Sequence, residues 1–264
     1  MPFIFFGTPE FAAIILERLI KAGWSPAVVV TNPDRPAGRK QVMTPSPVKQ
    51  TAQKYNLSIV NGQMSNVDAD FGILAAYGKI IPKEIIDIFP QGIIVVHPSL
   101  LPKYRGPTPI QTAILNGDEE TGVTLFLMDE KIDHGPIIFN FQFSISNNDN
   151  YETLLRKLAE VGADLLIETL PKYLAGGVKP EPQTESQATY TKKFTMEEAR
   201  VDLEKDPPDL IWRKVRALNP EPGVYTFKDG KRMKILEADL VKGKLVLKKI
   251  QFAGEKEKAY LREF

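Results

Sequence analysis

Phe3-Ile4-Phe5-Phe6-Gly7-Thr8-Pro9-Glu10 joins a short apolar run to an amphipathic stretch, Glu10–Lys21, and this unit decides the fold because the chain repeats it. Four consecutive apolar residues read as a strand buried on both faces, whereas apolar residues spaced along one face read as a helix. Further apolar runs at 27–31, 58–60, 71–75, 92–97, 123–128 and 136–143 alternate with amphipathic stretches at 47–55, 82–88, 109–116 and 151–174. Strand and helix in alternation predict an α/β fold, a mostly parallel, Rossmann-like sheet with helices on both faces. Ligands of such sheets sit at the carboxyl ends of the strands, which singles out the loops after Phe6, Thr31 and His97. The first of these, Gly7-Thr8-Pro9-Glu10, lacks the three-glycine spacing of a dinucleotide site, which argues against a nicotinamide or flavin dinucleotide.

The 264 residues are 43% hydrophobic and 25% charged, the balance of a soluble globular protein with room for one large domain or two smaller ones. Cysteine is absent, so no disulfide framework, thiolate metal site or cysteine nucleophile is available. The first apolar run is too short and lacks the basic flank of a secretory signal, and no later run approaches a membrane span. A cytoplasmic monomer without membrane contact is expected. The net charge of +1 hides an asymmetry: residues 1–189 hold 16 Lys and Arg against 20 Asp and Glu, residues 190–264 hold 18 against 13. On charge alone the basic tail reads equally as a solvated lysine-rich surface or as a face for nucleic acid.

The stretch Val178-Lys179-Pro180-Glu181-Pro182-Gln183-Thr184-Glu185-Ser186-Gln187 is polar and punctuated by prolines, a linker composition. Beyond it the patterns suggest helices at 195–201 and 208–218 and strands at 223–227, 232–238 and 244–250. The first two strands are joined across Lys228-Asp229-Gly230-Lys231, whose Asp-Gly is a hairpin signal. The expected organisation is a large domain over 1–182, a linker over 183–195 and a small strand-rich domain over 196–264.

The chemistry lies in Val95-Val96-His97-Pro98-Ser99-Leu100-Leu101-Pro102-Lys103-Tyr104-Arg105-Gly106 and, 36 positions after the histidine, in Met128-Asp129-Glu130-Lys131-Ile132-Asp133-His134-Gly135. The chain has only two histidines. His97 ends a buried strand and is held by Pro98, Pro102 and Gly106, and Asp133 is the distant carboxylate that would complete an acid–base pair. On the residues alone, a hydrogen-bonded structural histidine and a turn aspartate remain open alternatives, and His134 reads as a turn residue. No metal site is expected.

Together these segments closely resemble the formyltransferase family that uses 10-formyltetrahydrofolate, in its branch directed to methionyl-tRNA. The resemblance runs through Phe6-Gly7-Thr8-Pro9-Glu10-Phe11-Ala12, Asn32-Pro33-Asp34-Arg35-Pro36-Ala37-Gly38-Arg39, Ala75-Ala76-Tyr77-Gly78-Lys79-Ile80-Ile81-Pro82, His97 to Gly106 and Asp133-His134-Gly135. It resumes at Ala188-Thr189-Tyr190-Thr191-Lys192-Lys193 and Val215-Arg216-Ala217-Leu218-Asn219-Pro220. It implies that His97 and Asp133 are catalytic, with residues 1–182 as the catalytic domain. It implies that folate is held by Ser99, Leu100, Leu101 and Pro102, by the backbone near Ala76, Tyr77 and Gly78, and by the loop beginning at Asp129. The acceptor it implies is initiator tRNA charged with methionine. The basic loop 32–47, with Arg35, Arg39 and Lys40, is expected to be a mobile arm meeting phosphates of the acceptor stem, and Lys244 and Lys248 to add salt-sensitive affinity.

Two departures qualify the resemblance. The family has an asparagine two residues before the histidine, whose amide helps hold the formyl oxygen; here that position is Val95. Losing one oxyanion donor costs about 3–4 kcal/mol in the transition state. The tail is also shorter than the family's, and a reduced barrel of the oligonucleotide-binding kind is expected for it. Two other readings therefore stand beside formyl transfer to tRNA: N-formylation of an amino-sugar nucleotide, and a non-catalytic folate- or RNA-binding relative.

Overall fold

All five residues of β1 (Phe3–Gly7) are buried, because parallel strands hydrogen-bond to it on both sides. The computed structural model describes residues 1–38, 41–62 and 68–264. They fold as two units, one made of Met1–Arg105, Gly122–Phe143 and Leu155–Tyr190, the other of Gly106–Thr121, Ser144–Leu154 and Thr191–Phe264. After β1 come α1 (Glu10–Lys21), β2 (Val28–Thr31), a hairpin of β3 (Arg35–Ala37) and β4 (Val42–Thr44), α2 (Pro47–Lys54), β5 (Ile59–Asn61), β6 (Phe71–Ala75), the single turn α3 (Lys83–Ile86) and β7 (Ile93–His97). The chain then forms α4 (Pro109–Asn116), β8 (Glu120–Leu127), β9 (Ile137–Ser144) and α5 (Tyr151–Leu174).

The first unit is a seven-stranded sheet in the order β5-β2-β1-β6-β7-β8-β9, parallel from β5 to β7, with β8 antiparallel to β7. Helix α1 covers it with Phe11, Ala12, Ile15, Leu16 and Leu19, the apolar stripe that its sequence spacing prescribes. Helix α5 approaches so closely that a Cβ at Gly162 would lie 2.8 Å from Val96 Cγ1, which is why glycine stands there. Successive side chains of a strand alternate between faces, so Val95 and His97 share the face opposite Val96. On that face Val95 packs in a cluster with Phe6, Leu74, Tyr77, Leu101 and Phe126.

The second unit contains α4, α6 (Pro208–Leu218), β10 (Tyr225–Lys228), β11 (Lys231–Val241), β12 (Lys244–Phe252) and β13 (Lys258–Glu263). Its strands form an antiparallel sheet in the order β10-β11-β12-β13, onto which α6 packs with Ile211, Val215 and Leu218 buried. Asp229 and Gly230 both have positive φ, 51° and 73°, as the two-residue hairpin requires.

Several local expectations are corrected. Residues 195–201 make one turn rather than a helix: Glu198 closes it by accepting from Thr195 N and Oγ1, but Val201 N then donates to Tyr225 O at 2.9 Å and Tyr225 N to Ala199 O at 3.3 Å. Pairing with β10 ends the helical course. Within 32–47, read from sequence as an arm without assigned strands, β3 and β4 pair antiparallel, with Arg35 opposite Thr44 and Ala37 opposite Val42. The stretch 82–88 yields only the four-residue α3, and β13 was not anticipated because charged residues interrupt its alternation. Among the described residues no helix is long and apolar enough to cross a membrane.

Strand β8 tolerates nothing larger than glycine at position 122, where a Cβ would overlap the Phe141 carbonyl oxygen and the Leu100 side chain. Gly122→Ala is expected to destabilise the protein by about 3 kcal/mol, read as a lowered urea midpoint with unchanged slope; an unchanged midpoint would contradict the packing described.

Candidate active site

The carboxyl ends of β1, β2, β6 and β7 carry the loops that begin at Thr8, Asn32, Ala76 and Pro98. Three of these loops are tied together. Asn32 Nδ2 donates to Thr8 Oγ1 at 2.9 Å and to the Tyr77 carbonyl at 2.8 Å, and Thr8 Oγ1 donates to the same carbonyl at 3.2 Å. Ala76 takes a left-handed conformation, φ 45°, and Tyr77 Oη donates to Gly62 O at 2.9 Å. Burial pushes the Tyr77 hydroxyl pKa up, so it stays protonated as this donor. Tyr77 also lines a cavity of about 500 Å³ with Phe6, Lys79, Ile81, Pro82 and Ile85. His97, Asp133 and the segment Ser99 to Pro102 are not among the residues that line it.

The loop after β7 is fastened at nearly every residue. Thr124 Oγ1 donates to Ser99 O at 2.7 Å and accepts from Leu101 N at 3.0 Å, while Ser99 Oγ donates to Lys103 O at 2.7 Å. Tyr104, at φ 61°, is fixed by its own N–H to Thr189 Oγ1 at 2.8 Å. Its carbonyl lies 3.1 Å from His97 Nε2. A carbonyl can only accept, so the tautomer is assigned: Nε2 carries the proton, and Nδ1 is the atom left for proton exchange. His97 is 6% exposed and its ring meets Phe126 edge-on.

Nδ1 faces Asp133, whose Oδ2 is 3.7 Å away. That separation is too long for a hydrogen bond. The loop that brings Asp133 there leaves β8 beside the start of β7, where Met128 N donates to Ile93 O at 2.8 Å. It then returns a carboxylate to His97, four residues further along β7 and about 13 Å away at strand rise. Asp133 has φ 47°, and a Cβ at Gly135 would overlap the Leu127 carbonyl, so the loop lies tightly against the end of β8.

Sequence reasoning missed the anchor of this arrangement. Arg105 is completely buried. Its Nε and Nη2 donate to Gln183 Oε1 at 3.1 and 2.9 Å, and its Nη1 donates to Glu185 Oε1 and Tyr190 Oη at 3.1 and 2.9 Å. The Arg105 guanidinium holds the Glu185 carboxyl below the usual carboxylate range, with smaller help from His134 and Tyr190. Residues with a linker composition thus close around a buried cation. The available signal was Ala188-Thr189-Tyr190, the patterned segment that directly follows that polar stretch.

Asp129 Oδ2 accepts from His134 Nδ1 at 2.6 Å and Oδ1 accepts from Lys131 N at 2.9 Å, so both oxygens serve the loop itself. His134 therefore braces Asp129, and its Nε2 lies 3.6 Å from Glu185. Arg35 is exposed on β3, whereas Arg39 and Lys40 lie outside the described residues. Lys244 pairs with Glu263 and Lys248 with Asp239, which makes that strand surface charge-paired. Among the described residues no three His, Cys, Asp or Glu side chains converge to hold a metal ion.

The family models described as "Formyl transferase" and "Formyl transferase, C-terminal domain" match residues 1–170 and 193–255. The methionyl-tRNA formyltransferase of Staphylococcus aureus is 42% identical over 248 residues, 90% of this chain and 79% of that protein. Among solved structures, a methionyl-tRNA formyltransferase from Clostridium thermocellum superposes with TM-score 0.65 at 18% identity, over 97% of this chain and all of that one. HypX from Aquifex aeolicus in complex with tetrahydrofolic acid superposes with TM-score 0.68 at 19% identity, over 98% of this chain. This chain spans 46% of HypX.

Because Glu185 has a lowered pKa, its contribution to stability is complete above the ordinary carboxylate range and is lost as pH falls through the lowered value. Glu185→Gln should therefore be less stable than wild type at pH 7, and the gap should close in acid. Urea unfolding at stepped pH reads this; a gap of constant size would argue against the Arg105 pairing.

Proposed function

The chain belongs to the formyl transferase family, and on that premise we propose that it moves the formyl group of 10-formyltetrahydrofolate onto the α-amino group of methionine carried by initiator tRNA. The observation that carries the site assignment is His97 Nδ1 facing Asp133 Oδ2 while Nε2 is committed to a backbone carbonyl. The functional division follows the same reading: residues 1–182 carry the chemistry, 183–195 connect, and 196–264 contact tRNA.

In this reading the acceptor must first lose its ammonium proton, which Asp133 takes directly or through water. The free amine attacks the formyl carbon, a new C–N bond forms, and negative charge develops on the formyl oxygen. His97 Nδ1 takes the second proton from the attacking nitrogen, the N–H so formed stabilises the charge on the formyl oxygen, and that proton passes to N10 of the folate as the old C–N10 bond breaks. Tetrahydrofolate leaves and the formyl group stays on the amine. Ser99, Leu100, Leu101 and Pro102, the backbone of Ala76, Tyr77 and Gly78, and the loop at Asp129 are proposed to hold the folate. Arg35, Arg39 and Lys40, with Lys244 and Lys248, are proposed to meet tRNA phosphates.

Val95 sits on the same face of β7 as His97, 4% exposed and apolar, where the resemblance calls for an amide donor. Turnover is accordingly expected to be low. Val95→Asn should raise kcat by about a hundredfold while lowering stability by about 1–3 kcal/mol. His97→Ala should abolish transfer and leave folate affinity within about tenfold, since an acid–base group mainly serves the transition state. Transfer of labelled formyl to charged initiator tRNA, with an amino-sugar nucleotide as competing acceptor, reads the activity of both variants, while urea unfolding reads the stability and folate titration the affinity. Transfer to the sugar alone, or His97→Ala turning over like wild type, would overturn the proposal.

A further inference from the structure

We propose that Gln183 is a positioning residue for Asp133, holding its loop in register with His97; this rests on the reading of His97 and Asp133 as the catalytic pair. The Gln183 amide uses all of its hydrogen-bonding capacity. Its oxygen accepts twice from Arg105, and its nitrogen donates to the carbonyls of Asp133 at 2.9 Å and Gly135 at 2.8 Å. The orientation is unambiguous, because flipping the amide would set oxygen against two carbonyls and NH₂ against a guanidinium.

The loop needs such a hold. It must carry a carboxylate back along β7 from Ile93 to His97 through a residue with φ 47°, a conformation that non-glycine residues adopt at a cost. Gln183 grips the peptide on the carboxyl side of Asp133 and the one after Gly135. What stands behind Gln183 is rigid: Arg105 is completely buried, and the residue before it gives its carbonyl to His97 Nε2. A single path, His97 to Tyr104 O, along the chain to Arg105, to Gln183, to the Asp133 peptide, therefore sets both members of the pair from one anchor. A displacement of about 1 Å in a reacting group costs on the order of a hundredfold in rate.

Gln183→Glu separates the two halves of this brace. A carboxylate still accepts from Arg105, so the anchor survives, but both donors to the Asp133 loop are replaced by an oxygen facing two carbonyls. The expected result is a kcat lowered about ten- to a hundredfold, with KM for folate and for charged tRNA within about threefold and a melting temperature lowered by a few degrees, because two hydrogen bonds are lost. The same change in an Asp133→Asn background should alter kcat less than about twofold, because the two residues act as one unit. An activity-independent readout uses the fact that the chain has only two histidines: the imidazole ¹⁵N signals, assigned with a His134→Gln variant, should show a shift of His97 Nδ1 in both Gln183→Glu and Gln183→Leu. An unmoved His97 signal, unchanged kcat in Gln183→Glu, or fully additive losses with Asp133→Asn would overturn the inference alone. Wild-type turnover in Asp133→Asn would overturn the catalytic reading of the pair, and this inference with it.

Discussion

A guanidinium with no solvent access must be satisfied by the protein, and Arg105 is the point on which the site's geometry depends. Burying that charge is unfavourable unless every N–H finds a partner, so the chain must bring Gln183, Glu185 and Tyr190 to it across nearly eighty residues of sequence. Once they are there, the segment after α5 is no longer free to act as a tether. Arg105 N also donates to Thr189 O at 2.9 Å, and Thr189 N to Pro102 O at 3.2 Å, so the backbone of the histidine loop is stitched to the same segment. The rigidity of the loop comes less from its prolines than from this second strand of chain laid along it.

The strands of the first unit were legible because parallel strands buried on both faces must be apolar almost throughout, and little else in a soluble chain looks like that. Phe3–Gly7, Phe71–Ala75 and Ile93–His97 are entirely buried, and their apolar runs mark the strand bounds to within a residue. The second unit was less legible because its sheet is covered on one side and charged on the other. Strand β13, Lys258–Glu263, is almost wholly exposed, so no apolar pattern marks it. Residues 195–201 have the composition of a helix start, and only Tyr225, distant in sequence, diverts them into a bridge. The site divided the same way. His97 and Asp133 stood out by residue type and spacing, whereas Gln183 and Glu185 are ordinary polar residues whose role exists only once Arg105 is placed beside them.

Val95 shows the limit of reading a strand by its burial. The position belongs to a cluster with Phe6, Leu74 and Phe126, and by every rule of core packing valine is the better occupant. An amide there leaves polar atoms in apolar surroundings, stable only if a ligand's oxygen or a neighbouring group satisfies them. The chain thus carries the more stable residue where the resemblance calls for the more reactive one, a conflict between local stability and function of the kind expected at a catalytic site.

That exchange places more weight on His97. With Nε2–H spent on the Tyr104 carbonyl, Nδ1 is the ring nitrogen that faces Asp133. Facing a carboxylate at 3.7 Å, a doubly protonated ring directs an N–H into the gap between the two side chains, and a neutral ring directs a lone pair there. In the proposed reaction the neutral ring accepts a proton from the attacking nitrogen once Asp133 has taken the first one, and the ring so protonated is a donor for the developing oxyanion, so one nitrogen would serve both halves of an acyl transfer. In that mechanism, without an amide at position 95 the donor would have no partner on β7 to share the oxyanion. On the proposed mechanism, the separation of the pair, held through Arg105 and the segment that closes over it, would govern the transfer.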